Sequence, residues 1–148
     1  MIIFSSPEIG KELPEQILSW EERDVMLYAL AIGSGMHYPH DDLQFTTENS
    51  RGHELQVLPG FLSSLTSRLR FPDIGAPKGT RILHAAQHVK LHARLPAKGT
   101  ARVRCAIHSV TSGKSGAKVT LCAAFLESDG GALADVEMTL SLLGVTFE

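Results

Sequence analysis

From Ile82 onward the apolar residues recur at every second position. That period restricts the second half of the chain to strands with one buried face, because successive side chains of a strand point to opposite sides of a sheet. Val89, Leu91 and Ala93 alternate with Lys90, His92 and Arg94. Ala101, Val103, Cys105 and Ile107 form the next run, Val119, Leu121, Ala123 and Phe125 the third, and Ala134, Val136, Met138, Leu140 and Leu142 the fourth. Turn-forming clusters at 96–99, 112–116 and 128–131 separate the runs. Four strands joined by short connections predict an antiparallel meander with one apolar face.

The first half has a different period. Ser19 and Glu22 have capping-box spacing, and the helix they predict runs to about Ile32, with Val25, Tyr28 and Ile32 on one face and Gly33 and Gly35 as the stop. Residues 34–56 are polar and irregular and read as a long loop with a short strand near Leu43–Thr46. Phe61, Leu62, Leu65 and Leu69, at spacings of three and four, predict a second helix over 59–69, with Pro59 in its first turn. One or two N-terminal strands, two helices and a four-stranded sheet make an α+β chain. The sheet's apolar face needs a cover, and the 59–69 helix is the natural one. A length of 148 residues fits one domain, 1–148.

Charge is distributed in blocks. Residues 1–67 carry ten acids and three bases, residues 68–118 one acid and eleven bases, and residues 119–148 five acids and no base. A basic middle attracts polyanions, the phosphates of coenzyme A among them, unless acidic strands lie beside it and the charges interleave. No interleaving of aromatic with basic residues supports nucleic-acid recognition. No apolar run reaches the roughly 18 residues of a membrane span. The N-terminus lacks a basic segment of the secretory kind, and two cysteines are too few for a disulfide framework, so a cytoplasmic setting is expected.

Three segments, ERDVMLYALAIG (22–33), VLPGF (57–61) and RILHAAQHVKLHARLPAKG (81–99), resemble the MaoC-like (R)-specific enoyl-CoA hydratases. The similarity is to their non-catalytic N-terminal half. It implies a hot-dog fold, an antiparallel sheet wrapped around a central helix. It also implies that two hot-dog domains pack side by side, one supplying an acid–base pair and the other a pocket for the acyl chain of a coenzyme A thioester. The catalytic kind of half carries Gly-Asp-x-Asn-Pro-x-His after the first helix. Counted from Gly33, the acid position holds Ser34 and the histidine position Pro39. Hydration of an enoyl thioester needs a base to hold water at the β-carbon and a proton for the α-carbon, and neither residue supplies these at neutral pH. With the chain ending at Glu148, the resemblance implies a catalytic MaoC-like partner subunit, in a heterodimer or a heterotetramer, with an acyl-CoA as substrate and no further cofactor.

Within the chain, MHYPHDD offers His37, His40, Asp41 and Asp42 as a displaced acid–base pair or metal site, or as a solvated loop. Nothing in the spacing fixes a metal geometry, and no metal is expected. Val57, Leu58, Phe61 and Leu62 either line an acyl pocket or belong to the plain core. By the resemblance, His84 and Gln87 occupy a substrate-facing segment of the type HGEQ, which here reads HAAQ. His84, His88 and His92, taken as one face of a strand, lie roughly 13 Å apart, too far for one metal. GKSG at 113–116 lacks the first glycine of a phosphate loop and links two strands, so it reads as a hairpin turn. The leading expectation is a non-catalytic acyl-binding subunit of an enoyl-CoA hydratase. The alternatives are a stand-alone hydratase or thioesterase using His37, His40 and Asp41, and a pure acyl-CoA-binding scaffold. The lack of Asp and Glu in 59–69 speaks against the thioesterase.

Overall fold

The computed structural model describes residues 2–148. Two short strands, β1 (Ile2–Phe4) and β2 (Gln16–Trp20), precede three helices, α1 (Glu22–Ala31), α2 (Leu43–Thr46) and α3 (Phe61–Leu65). Five strands follow: β3 (Arg81–Leu91), β4 (Gly99–Gly113), β5 (Gly116–Leu126), β6 (Ala132–Leu143) and β7 (Val145–Phe147). No helix among the described residues is long and apolar enough to cross a membrane.

The main sheet is antiparallel, in the order β2-β4-β5-β6-β3, and β1 and β7 form a separate parallel pair. The predicted meander holds for β4, β5 and β6. The first of its four strands does not continue it: β3 pairs with β6, from Arg81↔Leu143 to Leu91↔Ala134. The other edge of β4 is already taken by β2, through pairs such as Leu18↔Ala101. The 92–98 connection therefore carries the chain from the β3 edge past β6 and β5 to β4, next to the opposite edge.

Alternation fills the inner face as expected. Leu18, Trp20, Val103, Cys105, Ala123, Phe125 and Val136 are buried there against Phe61, Leu62 and Leu65 of α3. A second cluster, centred on Ile107, Val119, Leu121 and Leu142, closes the far end with Val145 and Phe147. Burying side chains of this size contributes about 1.5–3 kcal/mol each, before the cost of ordering them.

Four local expectations need correction. Ser19 does not cap α1: it lies in β2, where its hydroxyl pairs with Thr100 at 2.8 Å. Burial of Leu18 and Trp20 draws this segment into the sheet, and the helix begins later, with the Asp24 carboxylate accepting from the Glu21 N–H at 3.0 Å. Ile32, expected on the packed face, is 59% exposed, and α1 instead buries Val25 and Ala29. The predicted 59–69 helix is shorter, five α-helical residues and a 3-10 turn, Thr66–Arg68. Here the hydroxyls of Ser64, Thr66 and Ser67 donate to the carbonyls of Phe61, Ser63 and Ser64 at 2.7–2.8 Å, bonds that compete with helical ones. The strand expected at Leu43–Thr46 is a single helical turn, with the Thr46 hydroxyl bonded back to the Asp42 carbonyl at 2.9 Å.

Candidate functional site

The end of α1 is a Schellman turn. The Gly33 N–H donates to the Leu30 carbonyl at 3.1 Å and the Ser34 N–H to the Ala29 carbonyl at 3.0 Å. Gly33 has φ +102°, a conformation that favours glycine. Ser34 is half-buried, and its amide is used in holding the turn. Beyond it, residues 36–41 swing into solvent, so His37, Pro39, His40 and Asp41 are exposed. Asp42 is structural, because its carboxylate accepts from the Gly35 N–H at 2.8 Å and closes the loop. The loop encloses a recess of about 270 Å³ that His37 and Asp41 line and His40 does not. Among the described residues, no three His, Cys, Asp or Glu side chains converge as a metal site would require.

The sequence places the apolar candidates around α3. Phe61 and Leu62 are sealed at 2% and 0% exposure, whereas Val57 and Leu58 are half-buried. An apolar groove of about 340 Å³ runs between α1 and α3, lined by Leu27, Tyr28, Ala31, Phe61 and Leu65, with Asp24 and Arg68 among its polar residues. Tyr28 packs edge-on to Phe61 at 5.9 Å, with its hydroxyl directly over Gly60. A Cβ at Gly60 would collide with that hydroxyl, although the backbone there suits any residue. Gly60→Ala is expected to cost about 1–3 kcal/mol by overpacking. Adding Tyr28→Phe, which removes the oxygen, should recover most of that loss in a double-mutant cycle of denaturation midpoints. Equal losses in both backgrounds would show that the hydroxyl is not the obstacle.

His84 and Gln87 lie three residues apart and would face opposite sides of a regular strand. β3 is irregular between His84 and Ala86: His84 pairs with Leu140 and Ala86 with Thr139, so Ala85 is an extra, bulged residue. Leu140 and Met138, the partners of His84 and Gln87, lie in the same alternation as the buried Ala134, Val136 and Leu142 of β6, so the bulge puts both candidates on the inner side. His88 pairs with Glu137 on the outer side. The histidines at 84 and 88 therefore do not share a face, contrary to the expectation from spacing. His84 is exposed, whereas the Gln87 side-chain Nε2 is buried without a hydrogen-bond partner.

A larger cavity, about 530 Å³, lies elsewhere, between residues 48–55 and the β3–β4 connection. It is lined by Glu22, Glu48, Glu54, His53 and Arg94, with Arg94 paired to Glu54 at 3.4 Å. Sequence reasoning passed over these residues because they lie in the polar loop with no periodicity to mark them. Burial pushes the Cys105 thiol up to about 11 and also raises that of Cys122, so neither provides a ready thiolate nucleophile at neutral pH.

Comparison with known proteins follows the same lines. The model of the MFE-2 hydratase 2 N-terminal domain matches residues 18–144. The 3-hydroxyacyl-thioester dehydratase Y of Mycobacterium tuberculosis is 37% identical over 92 residues, covering 62% of this chain and 30% of that protein. The chain spans about a third of the length of the curated relatives it matches. Full-length peroxisomal multifunctional enzyme type 2 from Drosophila melanogaster superposes with a TM-score of 0.71 at 21% identity, over 88% of this chain and 23% of that one. A chain of the C-terminally truncated HadBC (3R-hydroxyacyl-ACP dehydratase) complex of Mycobacterium tuberculosis gives a TM-score of 0.68 at 17% identity, over 93% and 99%. These structures bear out the hot-dog fold, with the sheet wrapped around α3. With the family model matched over most of its length, the chain belongs to the MFE-2 hydratase 2 N-terminal domain family, among the MaoC-like hydratases and dehydratases.

Proposed function

We propose that this chain is the non-catalytic, acyl-binding component of a hydratase acting on enoyl-CoA thioesters, and that a second hot-dog domain on another polypeptide brings the acid–base pair. The observation that carries this reading is the end of α1. The two positions at which the catalytic motif would put its acid and its histidine hold Ser34, turned into a Schellman cap, and Pro39 in an exposed loop. Neither side chain exchanges a proton near neutral pH, and α3 has no carboxylate to substitute for them.

The groove between α1 and α3 supports the acyl-binding part, since it is the apolar recess beside the central helix. Val57, half-buried against the same core cluster, adds apolar surface at its edge. The partner is supported by β3. It is an eleven-residue edge strand, exposed over most of its length, with Ile82 and Leu83 44% and 53% exposed. A long free edge of this kind is a template for another strand. A further support is the HadBC complex, a two-component assembly in which a chain of nearly the same extent has the same fold.

The test is reconstitution. The purified chain is expected to leave crotonyl-CoA essentially unhydrated, as followed by loss of enoyl-thioester absorbance, and to raise turnover when mixed with a hot-dog subunit carrying Gly-Asp-x-Asn-Pro-x-His. A normal hydration rate from the chain alone would overturn the proposal.

A further inference from the structure

The sheet's ion pairs absorb only part of the basic middle of the chain. On the outer face, Asp135 meets His92 at 2.6 Å, Glu137 meets His108 at 3.9 Å, and Glu15 meets Arg102 at 3.4 Å. The balance changes where β3 begins. A cleft of about 320 Å³ opens there, with Lys78, Gly79 and Arg81 on one side and Leu143 and Gly144 on the other. The Gly144 N–H donates to the Ser115 carbonyl at 3.4 Å, which holds the β4–β5 turn, and with it Lys114, beside the same wall. Lys118 pairs with Ser141, whose other neighbour is Leu83. Four bases thus share one end of the sheet.

No carboxylate lines the cleft, and none of the four bases makes an ion pair among the described residues. The carboxylate of Asp73 is occupied by the Gly75 N–H at 2.9 Å, and Glu148 lies past the far end of β7, its N–H on the Phe4 carbonyl. The backbone is open as well. Gly79 and Gly144 both have positive φ, with nothing within 4 Å of where a Cβ would stand, so a ligand can come close to the main chain.

We infer that this cleft binds the phosphates of a nucleotide-bearing ligand, with Arg81 as a fork on one phosphate and Lys78 and Lys114 as point charges beside it. The inference rests on the acyl-CoA reading above and assigns the nucleotide end of that ligand. Val89 packs on the α3 cluster, and Arg81 lies eight residues away along β3, with one of them bulged, about 24 Å at the rise of a strand. That separation is comparable with an extended coenzyme A, so an acyl group beside α3 and phosphates at the cleft suit one molecule.

The experiment is calorimetric titration of the full chain with adenosine 3′,5′-bisphosphate and with inorganic phosphate at low salt. Wild type should bind the bisphosphate more tightly than phosphate. Arg81→Gln and the double variant Lys78→Ala/Lys114→Ala should each weaken bisphosphate binding about tenfold or more. Lys90→Ala, further along β3, should leave it unchanged, and the melting temperatures of all variants should match wild type. Absence of bisphosphate binding by wild type would overturn the inference. So would an equal loss in Lys90→Ala, which would reveal diffuse surface charge. If Arg81→Gln binds the bisphosphate normally while wild type still activates a catalytic partner, the cleft assignment fails and the proposed function stands. If wild type fails to activate any such partner, the proposed function fails, whatever the cleft binds.

Discussion

Trp20→Ala should destabilise the chain by about 3–5 kcal/mol, a large share of the stability of a domain this size. Trp20 is 2% exposed and lies at the end of β2, one residue before the cap of α1. Its ring packs edge-on to Phe61 at 6.4 Å, and its indole N–H donates to the Pro96 carbonyl at 2.9 Å. It therefore joins the central helix to the connection that crosses from β3 to β4. Gly99 leaves room for it, since a Cβ there would sit 2.6 Å from the indole ring. Truncation loses the buried area, leaves a cavity and strips the Pro96 carbonyl of its donor. Trp20→Phe should fall between, keeping most of the packing and losing the hydrogen bond. Urea denaturation followed by circular dichroism reads both variants, since the fluorescent residue is the one removed. A loss below about 1 kcal/mol for Trp20→Ala would mean that the core closes over the gap.

Gly116→Ala should cost about 3 kcal/mol or more, by a different route. Gly116 opens β5 with φ +144°, and a Cβ there would overlap the Leu142 carbonyl oxygen and lie 3.3 Å from the Gly144 nitrogen. These are backbone atoms of the neighbouring strand and its turn, so no side-chain rotation relieves the contact. The hairpin pairing around Gly116↔Leu143 must shift. Gly113→Ala, on the other side of the same turn, is the control: its Cβ would meet only the Gly116 carbonyl oxygen, at an ordinary 3.7 Å. Similar melting temperatures for the two variants would refute the steric account.

Much of the architecture is legible in the alternation of 101–107, 119–125 and 134–142, because burial on one face leaves a direct imprint on residue type. Alternation reports a face but not a neighbour, which is why β3 could be read as the first strand of a meander when it is in fact an edge on β6. The bulge at Ala85 is equally silent. It lies in Ala85-Ala86, where neither residue has the bulk to mark inside from outside, yet it decides that His84 and Gln87 face the same way. The helix at 59–69 is legible in its apolar stripe, and its early end follows from hydroxyl groups that bond to their own backbone. That Ser34 and Pro39 stand at the two positions where the resemblance would put an acid and a histidine is legible in the sequence alone. The acid-lined cavity at Glu48 and Glu54 forms from distant segments and has no local signature.

The sheet's two edges differ, and the difference bears on valency. At one end β2 is five residues long, and the stretch of β4 beyond it is covered by the N-terminal segment, through Gly10 to the Ile107 carbonyl and Leu13 to the Cys105 carbonyl. At the other end β3 offers eleven residues with no strand beyond it among the described residues. A particle with one long adhesive side and one shielded side takes a single neighbour and then stops growing, whereas two equal sides would favour open fibres. Any strand-to-strand association of this chain is therefore expected to stop at pairs.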